Sequence, residues 1–244
     1  MTGAFRLRIH ESLPSTQSLA TDLAARGEPA GLAILARRQT EGRGRAGRPW
    51  QSRAGNLHIS ILLRPRAPAR DIAGYALLAA VALHDAAWHH APERILSLKW
   101  PNDLMEGEAK LAGILAEAVL DDRGGIAHLV FGIGVNLAHA PEVEGRAVAA
   151  LGPILPEDFA ATLLERLDHW GNLRLTEGFA PIRAAWMERG PARGTLMTLR
   201  QGDNPVSGRY EGVAEDGGLM LATGGRLHVF HAGEVMERHD ASRD

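Results

Sequence analysis

The sequence predicts an α+β protein in which a larger mixed domain precedes a small β-barrel. Strand-like segments are interspersed with helical ones over the first 190 residues, and two long apolar runs there are joined by turn residues. After Gly190 only short apolar segments follow, separated by glycine-rich or polar turns, which is typical of a small barrel. We therefore predict domains over residues 1–190 and 191–238, with a polar tail over 239–244.

The first elements are predicted from apolar periodicity and helix-end signals. Phe5–Glu11 alternates apolar and polar residues, as a half-buried strand does. Ser15 is a suitable N-cap for a helix that runs to Arg26, and Gly27 is a suitable stop. Further strands are predicted over Gly31–Arg38 and Asn56–Leu63.

The middle of the chain combines one long helix with a short strand and a hairpin. Asp71–His90 is rich in alanine and leucine and predicts a helix, whereas Ile95–Trp100 predicts a strand that Pro101 ends. The apolar runs Leu111–Leu120 and Ile126–Val135 are joined by the turn residues DDRGG, which predicts a hairpin.

Two helices are predicted before the change in composition at Gly190. Pro156 suits the first turn of a helix, and a second helix is predicted over Ile182–Arg189. The apolar stripe of the first helix consists of Phe159, Leu163, Leu164, Leu167 and Trp170.

Composition excludes several classes of function. With no cysteine, the chain has no disulfide, no zinc–thiolate site and no cysteine nucleophile. The formal net charge of -2 argues against broad attraction to nucleic acid or anionic membranes, so we expect neither DNA nor membrane as a partner. The longest apolar stretch, Ala73–Leu83, is shorter than the roughly 20 residues that span a bilayer. Charged residues interrupt the N-terminus, and we expect a cytoplasmic protein.

The loop Gln39–Gly55 carries the strongest functional signal. Within it, the run GRGRAGRPW alternates three glycines with three arginines and ends at Trp50. Glycine allows close approach of backbone N–H groups to a ligand, and guanidinium groups bind phosphate or carboxylate in a fork. The pattern therefore predicts an anion-binding loop. A solvated basic loop or a nucleic-acid contact explains the run equally well when it is taken alone.

Three further segments place polar residues beside apolar strands. KWPND covers Lys99–Asp103, KLAGIL begins at Lys110, and GIGVN ends at Asn136. Each has an ordinary structural explanation, such as a core tryptophan, a strand-edge lysine or close packing at glycine. Together with the arginine loop they predict one site.

These four segments, in this order, resemble the biotin–protein ligase family. The family motifs are similar to GRGRxGRxW, KWPND, KLAGIL and GxGxN, and the resemblance covers about residues 12–137. It implies a catalytic domain like that of class II aminoacyl-tRNA synthetases and an SH3-like barrel after it. It also implies an ATP-dependent ligase that forms biotinyl-5'-AMP and transfers biotin to a lysine of a biotin carboxyl carrier protein.

The resemblance implies roles for the matching residues. Lys110, Arg45 and Arg43 would be catalytic, Asp103 would contact Mg²⁺, and the substrates would be ATP and biotin. The implied biotin site consists of Ser15, Thr16, Gln39, Gly42, Arg43, Arg45, Lys110, Gly113 and Gly132. The implied ATP site consists of Arg45, Arg48, Trp50, Asn56, Lys99, Asn102, Asp103 and Asn136.

The chain departs from the family pattern at two positions. The family usually has Ser-Thr-Asn where this chain has Ser15-Thr16-Gln17, so Gln17 is left out of the predicted site. His58 stands where a tyrosine is common. Many relatives carry an N-terminal DNA-binding domain, whereas this chain starts at the catalytic domain, so we expect a ligase without repressor activity. A homodimer is left open.

Two alternatives stay open at this point. A lipoate or octanoate transferase would share the fold, but its Arg-Arg, glycine-rich and His-Asp segments are not found together here. A non-catalytic module that binds biotin, or nucleic acid through Arg37–Arg53, would not need the KWPND segment.

Overall fold

The computed structural model describes residues 5–201 and 204–236. A seven-stranded mixed sheet forms the larger part, with strand order β1-β2-β3-β7-β6-β5-β4. Its strands are β1 Arg6–His10, β2 Leu32–Ala36, β3 Leu57–Leu63, β4 Leu96–Lys99, β5 Asp103–Glu106, β6 Ala109–Leu120 and β7 Ile126–Val135. Only β1 and β2 pair in parallel, and the remaining neighbours are antiparallel.

Helices cover both faces of this sheet. They are α1 Thr16–Ala25, α2 Ile72–His90, α3 Pro156–Glu177 and α4 Ala180–Arg189. Ser15 caps α1 as predicted, because its Oγ accepts from the backbone N–H of Ser18. The Asp121 carboxylate accepts from the N–H groups of Arg123 and Gly125 and so stabilises the turn of the predicted β6–β7 hairpin.

The two faces of the sheet have separate apolar cores. The larger core contains the predicted stripe of α3, including Phe159, Leu163 and Leu167, together with Leu77 of α2 and Phe131 of β7. On the opposite face a smaller cluster combines α1 with the sheet through Ala20, Ala24, Leu32, Ile34, Leu62 and Val130. Among the described residues, α1 alone covers the second face with an apolar cluster, so part of that face is left for a cavity.

A second, antiparallel sheet follows α4 with strand order β11-β10-β9-β8-β12. Its strands are β8 Leu196–Gln201, β9 Asn204–Val213, β10 Leu219–Thr223, β11 Arg226–Phe230 and β12 Glu234–Met236. This confirms the predicted α+β fold class with a small C-terminal β unit. Part of the predicted Gly202–Pro205 turn and the 239–244 tail lie outside the described residues, and the boundary at residue 190 stays a prediction.

The first unit also contains one strand that the sequence did not predict. β5 follows Pro101 and Asn102 and pairs with both β4 and β6. Among the described residues, no helix combines the length and the apolar character needed to cross a bilayer.

Candidate active site

A cavity of about 710 Å³ lies on the α1 face of the large sheet. Its walls come from α1, the arginine-rich loop, strands β3, β6 and β7, and β12 of the second sheet. A volume of this size is ordinary for the site of a small organic ligand. The four sequence motifs thus meet at one place, although they are separated along the chain.

Glycines of β7 make the cavity floor. Gly132 pairs with Ser60 of β3 and Leu115 of β6, and Gly134 occupies the corresponding position two residues further along the strand. A Cβ at residue 132 would lie 2.6 Å from Gln17 Oε1, and one at residue 134 would lie 2.4 Å from Trp50 Cε2. Side chains from outside the sheet therefore lie directly on the bare backbone of both residues.

A chain of polar side chains closes the end of the cavity next to α1, here called the inner end. Gln39 Oε1 accepts from the backbone N–H of Thr16 at 2.8 Å and from its hydroxyl at 3.0 Å. The hydroxyl oxygens of Thr16 and Ser60 are 2.9 Å apart. The predicted residues Ser15, Thr16 and Gln39 all line the cavity here.

Gln17 also lines the inner end, although it is not among the site residues predicted from the sequence. Its side chain is buried, and its Oε1 accepts from Ser60 Oγ at 3.1 Å. Its Nε2 donates to Glu117 Oε2 at 2.8 Å and to Val130 O at 3.3 Å. The departure from the family motif was the only signal in the sequence that marked this residue.

Cationic side chains gather at the other end of the cavity. Lys110 Nζ donates to Asp103 Oδ1 at 2.5 Å, and Arg45 donates to Asn102 Oδ1 at 2.8 Å. Asn102 is itself fixed by a bond from its Nδ2 to Ile114 O. Lys99 also lines the cavity, whereas Arg43 lines it beside α1, where it donates to Ser18 Oγ at 3.0 Å. This end can attract a carboxylate or a phosphate.

The arginine-rich loop folds back on itself over the cavity. Trp50 N donates to Gly42 O at 2.9 Å, and Gly44 N donates to Arg48 O at 2.7 Å. Ala46 has a φ of 54°, a left-handed conformation that costs a non-glycine residue about 1–2 kcal/mol. Gly42 lies behind the wall and does not line the cavity, since a Cβ there would meet Trp50 O at 2.5 Å.

Trp50 reaches across the floor from the end of this loop. Lys110 Nζ lies 5.8 Å from the centre of its ring, within cation–π distance. Its buried Nε1 has no hydrogen-bond partner among the described residues. The ring thus occupies the middle of the cavity, between the polar and cationic ends.

The second sheet contributes a carboxylate that the sequence analysis did not predict. Glu234 of β12 receives two hydrogen bonds from Arg48, at 3.1 and 2.9 Å. It is also paired with Arg146, and Arg200 lies 3.7 Å from it. The hydrogen bond from Arg48 holds the pKa of Glu234 down at about 2, with the nearby arginine charges adding to the effect. The loop and the second sheet are therefore joined by an ion-pair cluster, which consists of Glu234, Arg48, Arg146 and Arg200.

The two predicted asparagines have different surroundings. Asn136 lines the cavity, and its buried Oδ1 has no partner among the described residues. Asn56 is buried outside the lining, and its Oδ1 accepts from the N–H groups of Leu137 and His139. Its Nδ2 donates to His139 O at 2.8 Å. The Asn56 amide therefore holds the chain after β7, and its contact with the nucleotide stays a prediction.

His58 lines the cavity as a neutral side chain. Burial lowers the pKa of its imidazole to about 4, although a contact with Arg53 O opposes the shift. The remaining nitrogen, Nδ1, has no partner within the described part of the chain.

The sequence matches two known families. Residues 9–136 match the Biotin/lipoate A/B protein ligase family, and residues 197–236 match the Biotin protein ligase C terminal domain. Among curated relatives, a biotin–[acetyl-CoA-carboxylase] ligase of Paracoccus denitrificans is 37% identical over 83% of this chain and 88% of its own length. A bifunctional ligase/repressor of Bacillus subtilis is 29% identical over 93% of this chain and 72% of its own length.

Two solved structures are similar to this chain in fold. A biotin protein ligase from Aquifex aeolicus in complex with biotin and ATP superposes with a TM-score of 0.81 at 26% identity, covering 95% of this chain and 97% of that one. A biotin protein ligase from Leishmania major in complex with biotinyl-5-AMP shares the fold at 22% identity, with a TM-score of 0.62 over 93% of this chain and 99% of its own.

Proposed function

Since the chain belongs to the Biotin/lipoate A/B protein ligase family, we propose that its cavity joins biotin to ATP and then passes the biotin to a protein. The chain is an ATP-dependent biotin protein ligase, with biotin and ATP as its substrates. Its acceptor is a carrier protein, for which we propose a biotin carboxyl carrier domain of a biotin-dependent carboxylase.

The arrangement of polar and charged groups along the cavity supports this function most directly. Its inner end presents amide and hydroxyl groups of Thr16, Gln17 and Gln39, and its other end presents Arg45 and Lys110. A biotin molecule has the same arrangement, with a cyclic urea at one end and a carboxylate at the other. An octanoyl or lipoyl chain has no polar ring groups to pair with the inner end, and buried polar groups without partners disfavour such a ligand.

The first step joins the biotin carboxylate to the α-phosphate of ATP and releases pyrophosphate. A carboxylate is already ionised at neutral pH, so this step needs no general base. Its main obstacle is the approach of two anions, which positioned cations relieve. We assign this role to Lys110, Arg45 and Arg43, whose side chains line the cavity.

The second step is attack by a neutral lysine amine of the carrier on the mixed anhydride. The new amide bond forms, AMP leaves, and the amine loses a proton. The anhydride must be kept from water until then, and we propose that the loop ending at Trp50 covers it. Trp50, Arg48, Lys99, Asn102 and Asn136 are proposed to contact the nucleotide because they line the cavity around the cationic end.

A magnesium ion would have few protein ligands in this cavity. Within the described ranges there is no cluster of three or more acidic or histidine side chains that could hold a metal. Mg²⁺ often binds through one or two carboxylates together with substrate phosphates and water, which a single carboxylate here would fit. We propose Asp103 as that ligand, where the ion would neutralise phosphate charge.

A direct test is mass spectrometry of a carrier domain incubated with the protein, ATP, Mg²⁺ and biotin. The expected result is a mass increase of one biotin on the carrier lysine, and none with lipoate or octanoate in place of biotin. Modification with lipoate alone would overturn the proposal. The absence of DNA binding stays a prediction, which a gel-shift assay with DNA would test, and a homodimer stays open until sedimentation measures the oligomeric state.

A further inference from the structure

We infer that Gln17 is a specificity-determining residue, whose carboxamide oxygen accepts a hydrogen bond from a ring N–H of the ligand. The inference rests on the proposed function and adds to it a recognition element at the inner end. The position of Gln17 over the floor, the orientation of its amide and a shortage of donors around it all support this role.

The position of Gln17 brings its oxygen into the cavity. Gln17 Oε1 would lie only 2.6 Å from a Cβ at residue 132, so it lies directly on the backbone of Gly132. The side chain is 3% exposed, and it borders the same cavity as Thr16 and Ser60. A ligand that fills the inner end therefore meets the Gln17 oxygen.

The orientation of the amide is fixed by two acceptors on the far side. Glu117 Oε2 and Val130 O cannot donate, so the nitrogen of Gln17 must face them. Glu117 and Val130 are register partners on β6 and β7, next to the pair of Leu115 and Gly132. The rigid sheet thus holds Glu117 where it keeps the Gln17 oxygen facing Ser60 and the cavity.

The inner end has fewer hydroxyl protons than oxygen–oxygen contacts. Three contacts connect Gln39, Thr16, Ser60 and Gln17 through side-chain oxygens, but the two hydroxyls supply only two protons. One acceptor position is therefore without a hydrogen whichever way the hydroxyls turn. A carbonyl oxygen such as Gln17 Oε1 has two lone pairs, of which Ser60 uses at most one. A cyclic urea, with two ring N–H groups, supplies the missing donor.

The test compares binding of biotin with binding of two analogues, each methylated on a different ring nitrogen. Gln17→Met keeps the length of the side chain and removes the acceptor. We expect the wild-type protein to bind one analogue less tightly than biotin. Gln17→Met should reduce this ratio of affinities about tenfold, as expected for one hydrogen bond. KM for biotin should rise about tenfold, while kcat and KM for ATP should stay within twofold.

Glu117→Leu provides a second variant that leaves Gln17 in place. Only the longer bond to Val130 O then holds the Gln17 nitrogen, so the amide can rotate more easily. The discrimination against the same analogue should therefore shrink, whereas discrimination against the other analogue should stay. Asn172→Leu is the control, because it likewise replaces a carboxamide with an apolar side chain, at an exposed residue of α3 that does not line the cavity and whose amide donates to Asp168 Oδ2. That control should keep the wild-type ratio of affinities.

Two results would overturn the inference, and they differ from failure of the proposed function. Gln17→Met and Gln17→Asn could keep the wild-type preference and biotin affinity, which would show that Gln17 only packs against Gly132. Equal loss of affinity for biotin and both analogues, with a lowered melting temperature, would show the same. If the wild-type protein bound no biotin at all, the proposed function itself would be wrong.

Discussion

Replacing Glu234 with glutamine should release the arginine-rich loop from the second sheet. The change removes the charge that pairs with Arg48, Arg146 and Arg200 but keeps the size of the side chain. Because the loop then loses its two-pronged bond to β12, its open form should become more populated.

The structure bounds the size of this effect. A fall in the pKa of Glu234 from 4.5 to about 2 corresponds at face value to roughly 3 kcal/mol. Arg48 is 52% exposed and Glu234 30% exposed, so solvent screening reduces this value strongly. Taking about 1 kcal/mol for the Arg48 pair and about half as much for Arg146, the open population should rise about 5- to 12-fold.

Limited trypsin digestion of the free protein measures that population. Cleavage after Arg43 or Arg45 reports opening of the loop, whereas the bond after Arg48 precedes Pro49 and resists trypsin. Glu234→Gln should speed cleavage at pH 7.5 by the factor above, and Arg48→Gln should do nearly the same. Because both variants break the same pair of Arg48 and Glu234, the double variant should be cleaved little faster than Glu234→Gln alone.

Glu188→Gln is the matched control, since Glu188 is 80% exposed and pairs only with Arg189 among the contacts described. Its cleavage rate should match that of the wild type. The proposed ion-pair contact between loop and sheet would be refuted by a cleavage rate of Glu234→Gln within twofold of wild type. Additive effects of Glu234→Gln and Arg48→Gln would also refute it.

Three further predictions concern the cavity. Lys110→Ala should lower biotin-dependent pyrophosphate exchange about a hundred- to a thousandfold, because it removes a cation beside the proposed reacting phosphate. The circular dichroism spectrum should stay unchanged, and near-normal exchange would contradict the assignment. Gly134→Ala should lower the melting temperature because its Cβ would meet the Trp50 ring at 2.4 Å, and adding Trp50→Leu should restore it; no recovery would place the strain elsewhere. His58 should make the protein less stable as pH falls from 6.5 towards 4, because the unfolded chain binds the proton that the folded state excludes. The free energy of unfolding in urea should fall by about 2 kcal/mol between pH 7 and pH 5, and this fall should be absent in His58→Gln.

Periodicity and turn chemistry predicted most of the fold. The β6–β7 hairpin and the helices α2 and α3 were predictable because each has a long apolar pattern and clear end signals. β5 and β12 were not predicted. β5 is four residues long and lies between Pro101 and Gly107, and β12 has three residues, so neither contains enough alternation to be distinguished from a loop.

The sequence motifs predicted one site, but they did not predict every residue that forms its wall. The four motifs meet there because strand ends and loops of the large sheet bring them together. Glu234 was missed because its partner Arg48 is 186 residues away, and no local pattern connects them. The surroundings of Asn56 were not predictable either, because a motif position does not reveal that its amide oxygen accepts from the backbone of Leu137 and His139.

The glycine floor has a consequence for how quickly a ligand leaves the cavity. Gly132 and Gly134 belong to a central strand that is held on both sides by β3 and β6, and the side chains of Gln17 and Trp50 lie directly on them. Substitution there can only add bulk, so contacts with the floor cannot be fine-tuned. Residence time must therefore be set by what covers the ligand, namely the inner-end amides and the loop ending at Trp50. Variants of that cover should change the dissociation rate much more than the association rate.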